Sequence, residues 1–161
     1  MHVSDGTVES TKRLESVFPS YFVEFQDRLY FSASDGFNTF LWTILTIGFA
    51  NEIYELQYIG PYLTTYDEML WCVGSTAQIG IEVHSYDLAS NDLDYYEVNP
   101  GSDWSNPRDL TGTTYGLFFI AESNSIGREL HYLKQIVDND MDGFLKMRIV
   151  MILMHLLILI R

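Results

Sequence analysis

The chain ends with Phe144-Leu145-Lys146-Met147-Arg148, then an apolar run from Ile149 to Ile160 that only His155 interrupts, then Arg161. A large apolar side chain left in water forgoes roughly 1.5–3 kcal/mol of burial. The run therefore needs a partner, which can be the rest of the chain, another copy of it, or a lipid bilayer.

We expect this segment to join copies of the chain rather than to cross a membrane. The run is much shorter than the roughly 20 residues that a spanning helix needs, and Lys146 and Arg148 would lie inside any longer span at a cost in free energy. Because it is apolar on all sides, it must be surrounded by other apolar groups, whether it forms a helix or a strand. Of the two, we favour the helix. The predicted homo-oligomer interface comprises Ile149, Ile152, Leu153, Leu156 and Ile160.

The charge balance narrows the classes of partner. The chain has 161 residues, with 22 acidic against nine basic residues and a net charge of −13. Three of the basic residues lie in the apolar tail. Such a surface repels nucleic acids and anionic lipids, and it attracts a basic protein. A soluble acidic protein with no special partner is the alternative.

Cysteine usage and the start of the sequence indicate a cytoplasmic protein. Cys72 is the one cysteine, so no disulfide can form within the chain, which favours a reducing compartment. It lies in an apolar stretch and is expected to pack as a small hydrophobic residue. Residues 1–6 have neither the basic nor the apolar region of a signal peptide.

Helical spacing occurs near both ends of the acidic region. Apolar residues at steps of three and four predict one helix up to about Phe18 and a second from Pro19 to about Arg28, because proline is tolerated in a first helical turn. The same spacing predicts a helix over 125–137.

The middle of the chain predicts strands. Residues 68–74, 79–86, 93–98 and 117–121 are bounded by turn residues, and 79–98 forms a hairpin. Residues 37–49 and 51–59 fit a buried strand or a buried helix, and 99–116 is expected to be a loop.

These elements predict an α+β protein. Helices and strands segregate along the chain, which favours N-terminal helices, a mostly antiparallel sheet, a closing helix and the apolar C-terminal helix or strand. We find no internal repeat and no interdomain linker. We therefore predict one acidic domain over 1–143, with 144–161 as the assembly segment.

One short motif resembles a calcium loop. Asp138, Asp140 and Asp142, followed by Gly143, match the acidic positions and the glycine of the first half of such a loop. Position 12 holds Ile149 in place of the usual glutamate. An acidic turn, with Asp140 or Asp142 capping the element after it, is the alternative.

Catalytic arrangements are absent from the sequence. His2, His84, His131 and His155 have neither metal-ligand spacing nor a nucleophile motif around them. We expect each to be a surface or packed residue, on a strand for His84 and on a helix for His131. We predict no catalytic residue, and no cofactor other than the weak calcium site.

Carboxylates and aromatic residues gather around the predicted hairpin. Aromatic anchors ringed by one sign of charge suit a protein interface. A solvated acidic face over core aromatics is the alternative. The predicted partner-binding residues are Asp87, Asp92, Asp94, Glu97, Asp103 and Trp104.

Three segments within residues 10–137 resemble the SUKH superfamily, which includes many bacterial toxin-immunity proteins. Residues 14–25, with Phe18-Pro19-Ser20-Tyr21, are similar to its opening helix pair. Residues 73–98 are similar to its central strands, and 120–133 to its closing helix. Phe18 stands where the family has leucine, and residues 138–161 have no counterpart. The resemblance implies an α+β domain that binds and neutralises a toxin, often a basic nuclease.

The sequence thus favours a non-enzymatic, homo-oligomeric module that binds a basic protein such as a toxin. One alternative is a small-molecule-binding protein or enzyme with an aromatic-lined pocket. The other is a weak calcium-binding module.

Overall fold

The chain folds into antiparallel β-sheets. The computed structural model describes residues 2–4, 6–9, 11–13, 17–46, 49–56, 58–60, 62–76, 78–135 and 147–151. These residues contain no helix, and so no membrane-spanning helix either. The α+β prediction, with its N-terminal and closing helices, is therefore wrong.

A short ribbon precedes the first of three larger sheets. β1 (His2–Val3) pairs with β2 (Lys12–Arg13). The first sheet is a meander in which each strand pairs with the next. Its strands are β3 (Phe18–Phe25), β4 (Arg28–Ser34), β5 (Thr39–Thr46) and β6 (Phe49–Leu56).

The middle sheet has β9 (Met69–Ser75) at its centre. On one side, β9 pairs with β7 (Tyr58–Ile59) and β8 (Thr64–Tyr66), which share one strand position. On the other side it pairs with β10 (Glu82–Asp87), which pairs in turn with β11 (Asp92–Tyr96). The predicted hairpin is confirmed, and β11 forms the outer edge of this sheet.

The third sheet is again a four-stranded meander. It consists of β12 (Arg108–Gly112), β13 (Leu117–Ser123), β14 (Gly127–Gln135) and β15 (Met147–Met151). β14 lies where the closing helix was predicted. In β15, the described part of the predicted assembly segment is a strand and not the helix we favoured, with Ile149 opposite Leu133 in the register.

The middle sheet lies between the other two. Leu70, Cys72 and Tyr86 pack against Tyr30 and Leu41 of the first sheet. The opposite face packs on the third sheet, where the apolar cluster comprises Trp71, Val73, Val83, Leu110, Leu117, Phe119, Ala121 and Leu133. Full burial of such side chains stabilises the fold by roughly 1.5–3 kcal/mol each.

The three sheets repeat one sequence pattern, which the prediction of no internal repeat missed. Phe31, Cys72 and Phe119 hold the same place in this pattern, and the register places them opposite Trp42, His84 and His131, respectively. Around them, residues 29–33, 70–74 and 117–121 each run from a leucine through an aromatic residue to alanine or glycine. The motif Ile79-Gly80-Ile81-Glu82-Val83-His84 recurs as Ile126-Gly127-Arg128-Glu129-Leu130-His131.

Candidate partner-binding surface

The outer edge of the middle sheet carries exposed acidic and aromatic side chains. In β11, Asp92 and Asp94 are exposed, and Tyr95 is 42% exposed. The pairing of β11 with β10 is continuous from Asp87–Asp92 to Val83–Tyr96, without a bulge. The predicted residues Asp87, Asp92 and Asp94 therefore lie along one straight hairpin.

No positive charge accompanies these carboxylates within the middle sheet. Residues 58–96 contain six acidic residues and neither lysine nor arginine. Among the described residues, no salt bridge involves Asp92 or Asp94; the ion pair observed there joins Arg128 to Glu122 in the third sheet. Within the described residues, the carboxylates of β11 are therefore exposed and not paired with a cation.

The other predicted partner residues lie in the loop that leads to the third sheet. Glu97 accepts a hydrogen bond from the backbone N–H of Gly101 (2.8 Å), and Asp103 accepts one from the Asn124 side-chain amide (2.7 Å). These carboxylates hold the loop, so they are less free to bind a partner than those of β11. Trp104 is 62% exposed beside Gly80 and remains a candidate anchor.

A buried carboxylate holds this loop in place. This role was not predicted from the sequence. Glu82 is fully buried and accepts hydrogen bonds from the backbone of Val98 (3.0 Å) and from the backbone and hydroxyl of Ser105. Burial raises the pKa of Glu82, and these hydrogen bonds oppose the shift. Asn99, also buried, donates to the carbonyls of Trp104 and Glu122. The loop is therefore a rigid support for the edge beside it.

A groove crosses one end of the sheets. Its larger part, a cavity of about 560 Å³, is lined by Phe25, Thr65, Tyr66, Asp67, Glu68, Gly112, Thr113 and Thr114. A smaller part of about 280 Å³ reaches the β10–β11 turn at Asp87. Because Gly112 has no side chain, β12 can approach the Thr65 carbonyl here; a Cβ atom on Gly112 would lie 1.9 Å from that oxygen.

The turn between β8 and β9 separates the two parts of this groove. Asp67 and Glu68 both have left-handed backbone angles, with φ of 54° and 58°. Burial, and then the Glu68 carboxylate, raise the pKa of Asp67. Its Oδ2 has no hydrogen-bond partner among the described residues. Asp67 and Glu68 are thus a second pair of neighbouring carboxylates, and neither forms a salt bridge within the part of the chain that the structure describes.

The titratable groups of the core are packed and show no catalytic arrangement. His84 lies on a strand, as predicted, whereas His131 lies on β14 and not on a helix. Both are buried, and neither has a ring nitrogen hydrogen-bonded within the described residues. Burial lowers the pKa of His84 to about 4 and lowers that of His131. Cys72 is buried as predicted, and burial raises its pKa to about 12.

Several predicted residues lie outside the described part of the chain. These are the calcium-loop residues Asp138, Asp140 and Asp142, and Ile152, Leu153, Leu156 and Ile160 of the predicted oligomer interface. Within the residues that the structure describes, no group of three or more histidine, cysteine, aspartate or glutamate side chains could hold a metal ion.

The chain matches no protein-family model, no curated protein and no solved structure.

Proposed function

We propose that the protein is a non-enzymatic binding module that holds a basic protein partner at the β11 edge. The observation that carries the proposal is the pair of exposed carboxylates, Asp92 and Asp94, on a regular edge strand, neither of which forms a salt bridge with another described residue. Tyr95, exposed between them and the loop, supplies apolar contact area of the kind that anchors interfaces.

The rest of the middle sheet supports this assignment. Its two faces are covered by the first and third sheets, so its acidic residues meet solvent at the strand edge and at the ends. A net charge of −13 speeds the approach of a cationic protein from a distance. The chemistry of the site is therefore long-range attraction followed by local pairing.

Charge removal at the edge tests the proposal. The double variant Asp92→Asn and Asp94→Asn should weaken binding of a short lysine-rich peptide by about fivefold, because exposed pairs contribute up to about 1 kcal/mol. Fluorescence anisotropy of a labelled peptide measures the affinity at low and high salt. Higher salt should weaken binding to the parent protein more than binding to the variant.

A matched variant removes the same charge elsewhere. Glu24→Gln with Asp27→Asn takes two exposed carboxylates from the β3–β4 hairpin of the first sheet. If this variant and the edge variant lose equal affinity, net charge and not the β11 edge accounts for binding. If the parent protein does not bind the basic peptide, the proposed function is wrong.

The groove supports a second candidate function, the binding of a small cationic molecule. Phe25 and Tyr66 line it together with Asp67 and Glu68, and aromatic faces with carboxylates suit an organic cation. A thermal-shift screen of amines and quaternary ammonium compounds tests this. A hit whose effect persists in Asp67→Asn and Glu68→Gln would place the binding elsewhere.

A further inference from the structure

The edges of the three sheets differ in their readiness to accept another strand. β3 has a bulge between Ser20 and Val23 and carries Pro19, which lacks a backbone N–H. β12 has a bulge between Arg108 and Thr111. Bulges and proline are the usual means of blocking strand addition. β11 has neither, and it is five residues long in unbroken register.

One backbone N–H group at this edge is hydrogen-bonded to a side chain of its own strand. The N–H of Tyr95 donates a hydrogen bond to Asp94 Oδ1 at 2.8 Å. Alternate residues of an antiparallel strand direct their backbone groups to the same side. Leu93 and Tyr95 therefore present their N–H and C=O groups outward from β10, and the Asp94 carboxylate covers one of them.

We propose that β11 accepts an extended basic segment of the partner as an added strand, with Asp94 acting as a guard that a basic side chain displaces. This inference rests on the proposed function and specifies the conformation and pattern of the partner. The incoming segment takes the Tyr95 N–H that Asp94 covers. A lysine or arginine of that segment pairs with the freed carboxylate.

The side-chain alternation of β11 predicts the pattern of that segment. Asp92 and Asp94 lie on one face of the strand, and Leu93 and Tyr95 lie on the other. Leu93 packs with the cluster between the first and middle sheets. A matching segment has a basic residue at every second position and β-branched or aromatic residues between them, so that each face meets its complement.

Two peptides of equal charge test strand addition. One alternates lysine and valine; the other has the same sequence with N-methyl groups on its backbone amides, which removes the donors. The unmethylated peptide should bind at least tenfold more tightly. It should also slow hydrogen exchange at the amides of Leu93 and Tyr95, measured by NMR on the intact protein, whereas the methylated peptide should not.

The outcomes separate this inference from the proposed function. Equal binding of the two peptides, with unchanged exchange at Tyr95, overturns strand addition but leaves an acidic binding surface. Binding of neither peptide overturns both.

The variant Asp94→Ala tests the guard directly. Without the carboxylate, the Tyr95 N–H is open to any strand, so the methylation-sensitive binding of an alternating serine and valine peptide should increase. Binding of this neutral peptide that remains as weak as to the parent protein overturns the guarding role. Asp92→Ala, which removes an equal charge without touching the Tyr95 N–H, is the control.

Discussion

The buried His84 should make the stability of the fold depend on pH. Burial lowers the pKa of its imidazole from 6.5 to about 4, while the nearby Gly74 backbone and the Asp94 carboxylate oppose this shift. As the pH falls, the unfolded chain takes up a proton near pH 6.5, whereas the folded chain does so only near pH 4. The contribution of neutral His84 is therefore fully present above about pH 6.5 and is lost as the pH falls towards 4.

The size of the effect follows from the two pKa values. Between about pH 7 and about pH 5, the free energy of unfolding should fall by roughly 2 kcal/mol from this residue alone. A urea titration followed by tryptophan fluorescence should show the midpoint falling by about 1 M, given an m-value near 2 kcal/mol per M. His131, whose pKa burial also lowers, adds to the fall.

The carboxylates of the described residues whose pKa is shifted do not produce the same change. The pKa values of Asp35 and Asp87 are lowered from 3.8, so their contributions are lost below that window. The pKa of Glu82 is raised, so its protonation favours the folded state as the pH falls and acts in the opposite direction. The fall between pH 7 and pH 5 therefore reports on the buried histidines.

The variant His84→Phe isolates the residue. It keeps an aromatic ring beside Tyr95, whose ring centroid lies 6.1 Å from that of His84, and removes the titrating nitrogens. Its unfolding free energy should lose about 2 kcal/mol of the pH dependence seen in the parent. If the variant shows the same fall as the parent, or if the parent shows none, the argument from burial is wrong.

Three further changes test other parts of the fold. Ser105→Ala removes the hydroxyl that donates to the buried Glu82. It should lower the unfolding free energy by about 1–3 kcal/mol and speed proteolysis of the loop over 97–105. An unchanged unfolding free energy and proteolysis rate would show that the contact is dispensable. Glu68→Gly relieves the strain of a left-handed backbone angle, φ of 58°, at a non-glycine residue. It should raise the unfolding free energy by about 1 kcal/mol. A lower melting temperature in calorimetry would contradict this. Deleting residues 152–161 keeps β15 and removes most of the apolar run. The truncated protein should then be insoluble, or light scattering should show a smaller assembly. A soluble protein of unchanged association state would refute assembly through this segment.

The middle hairpin was predictable because its signals are local. The segment between β10 and β11 contains Ser90 and Asn91, and Asn91 adopts a left-handed φ of 67°, which asparagine tolerates. Turn residues of this kind, flanked by short runs of valine, tyrosine and leucine, predict a hairpin. The charged edge residues Asp92 and Asp94 could be identified from the same stretch.

In the first sheet, β3 was predicted as a helix and β4 was not predicted at all, for two physical reasons. Residues 30–33 of β4 are buried on both faces, so the strand lacks the alternation that marks a half-buried strand. The turn that joins β3 to β4 places Gln26 and Asp27 at φ of 48° and 57°. Glycine or asparagine at these positions is the usual sequence signal of a hairpin, and neither is present. Apolar residues at steps of three and four then fitted a helix by coincidence.

The guard at the edge could not be predicted from the sequence, because it depends on register. Only the pairing of β11 with β10, together with the hydrogen bond from the Tyr95 N–H to Asp94, shows which backbone groups of β11 face outward. The repeat escaped notice for a related reason. In the first sheet, Trp42 occupies the position that His84 and His131 hold in the other two, so the pattern is recognised in all three sheets only when the register aligns them.

The stacking of three repeated sheets is the reason why we propose binding at an edge. Each face of the middle sheet is used to hold a neighbouring sheet, and a charge placed there would be desolvated without a partner. Glu82 shows what a buried carboxylate requires, since three hydrogen bonds from the loop backbone and Ser105 surround it. Carboxylates that lack such bonds are favoured where water reaches them, as at Asp92 on the outer strand. We therefore expect a partner that is attracted by the exposed carboxylates of β11 to contact that strand, where the next available groups are those of the backbone itself.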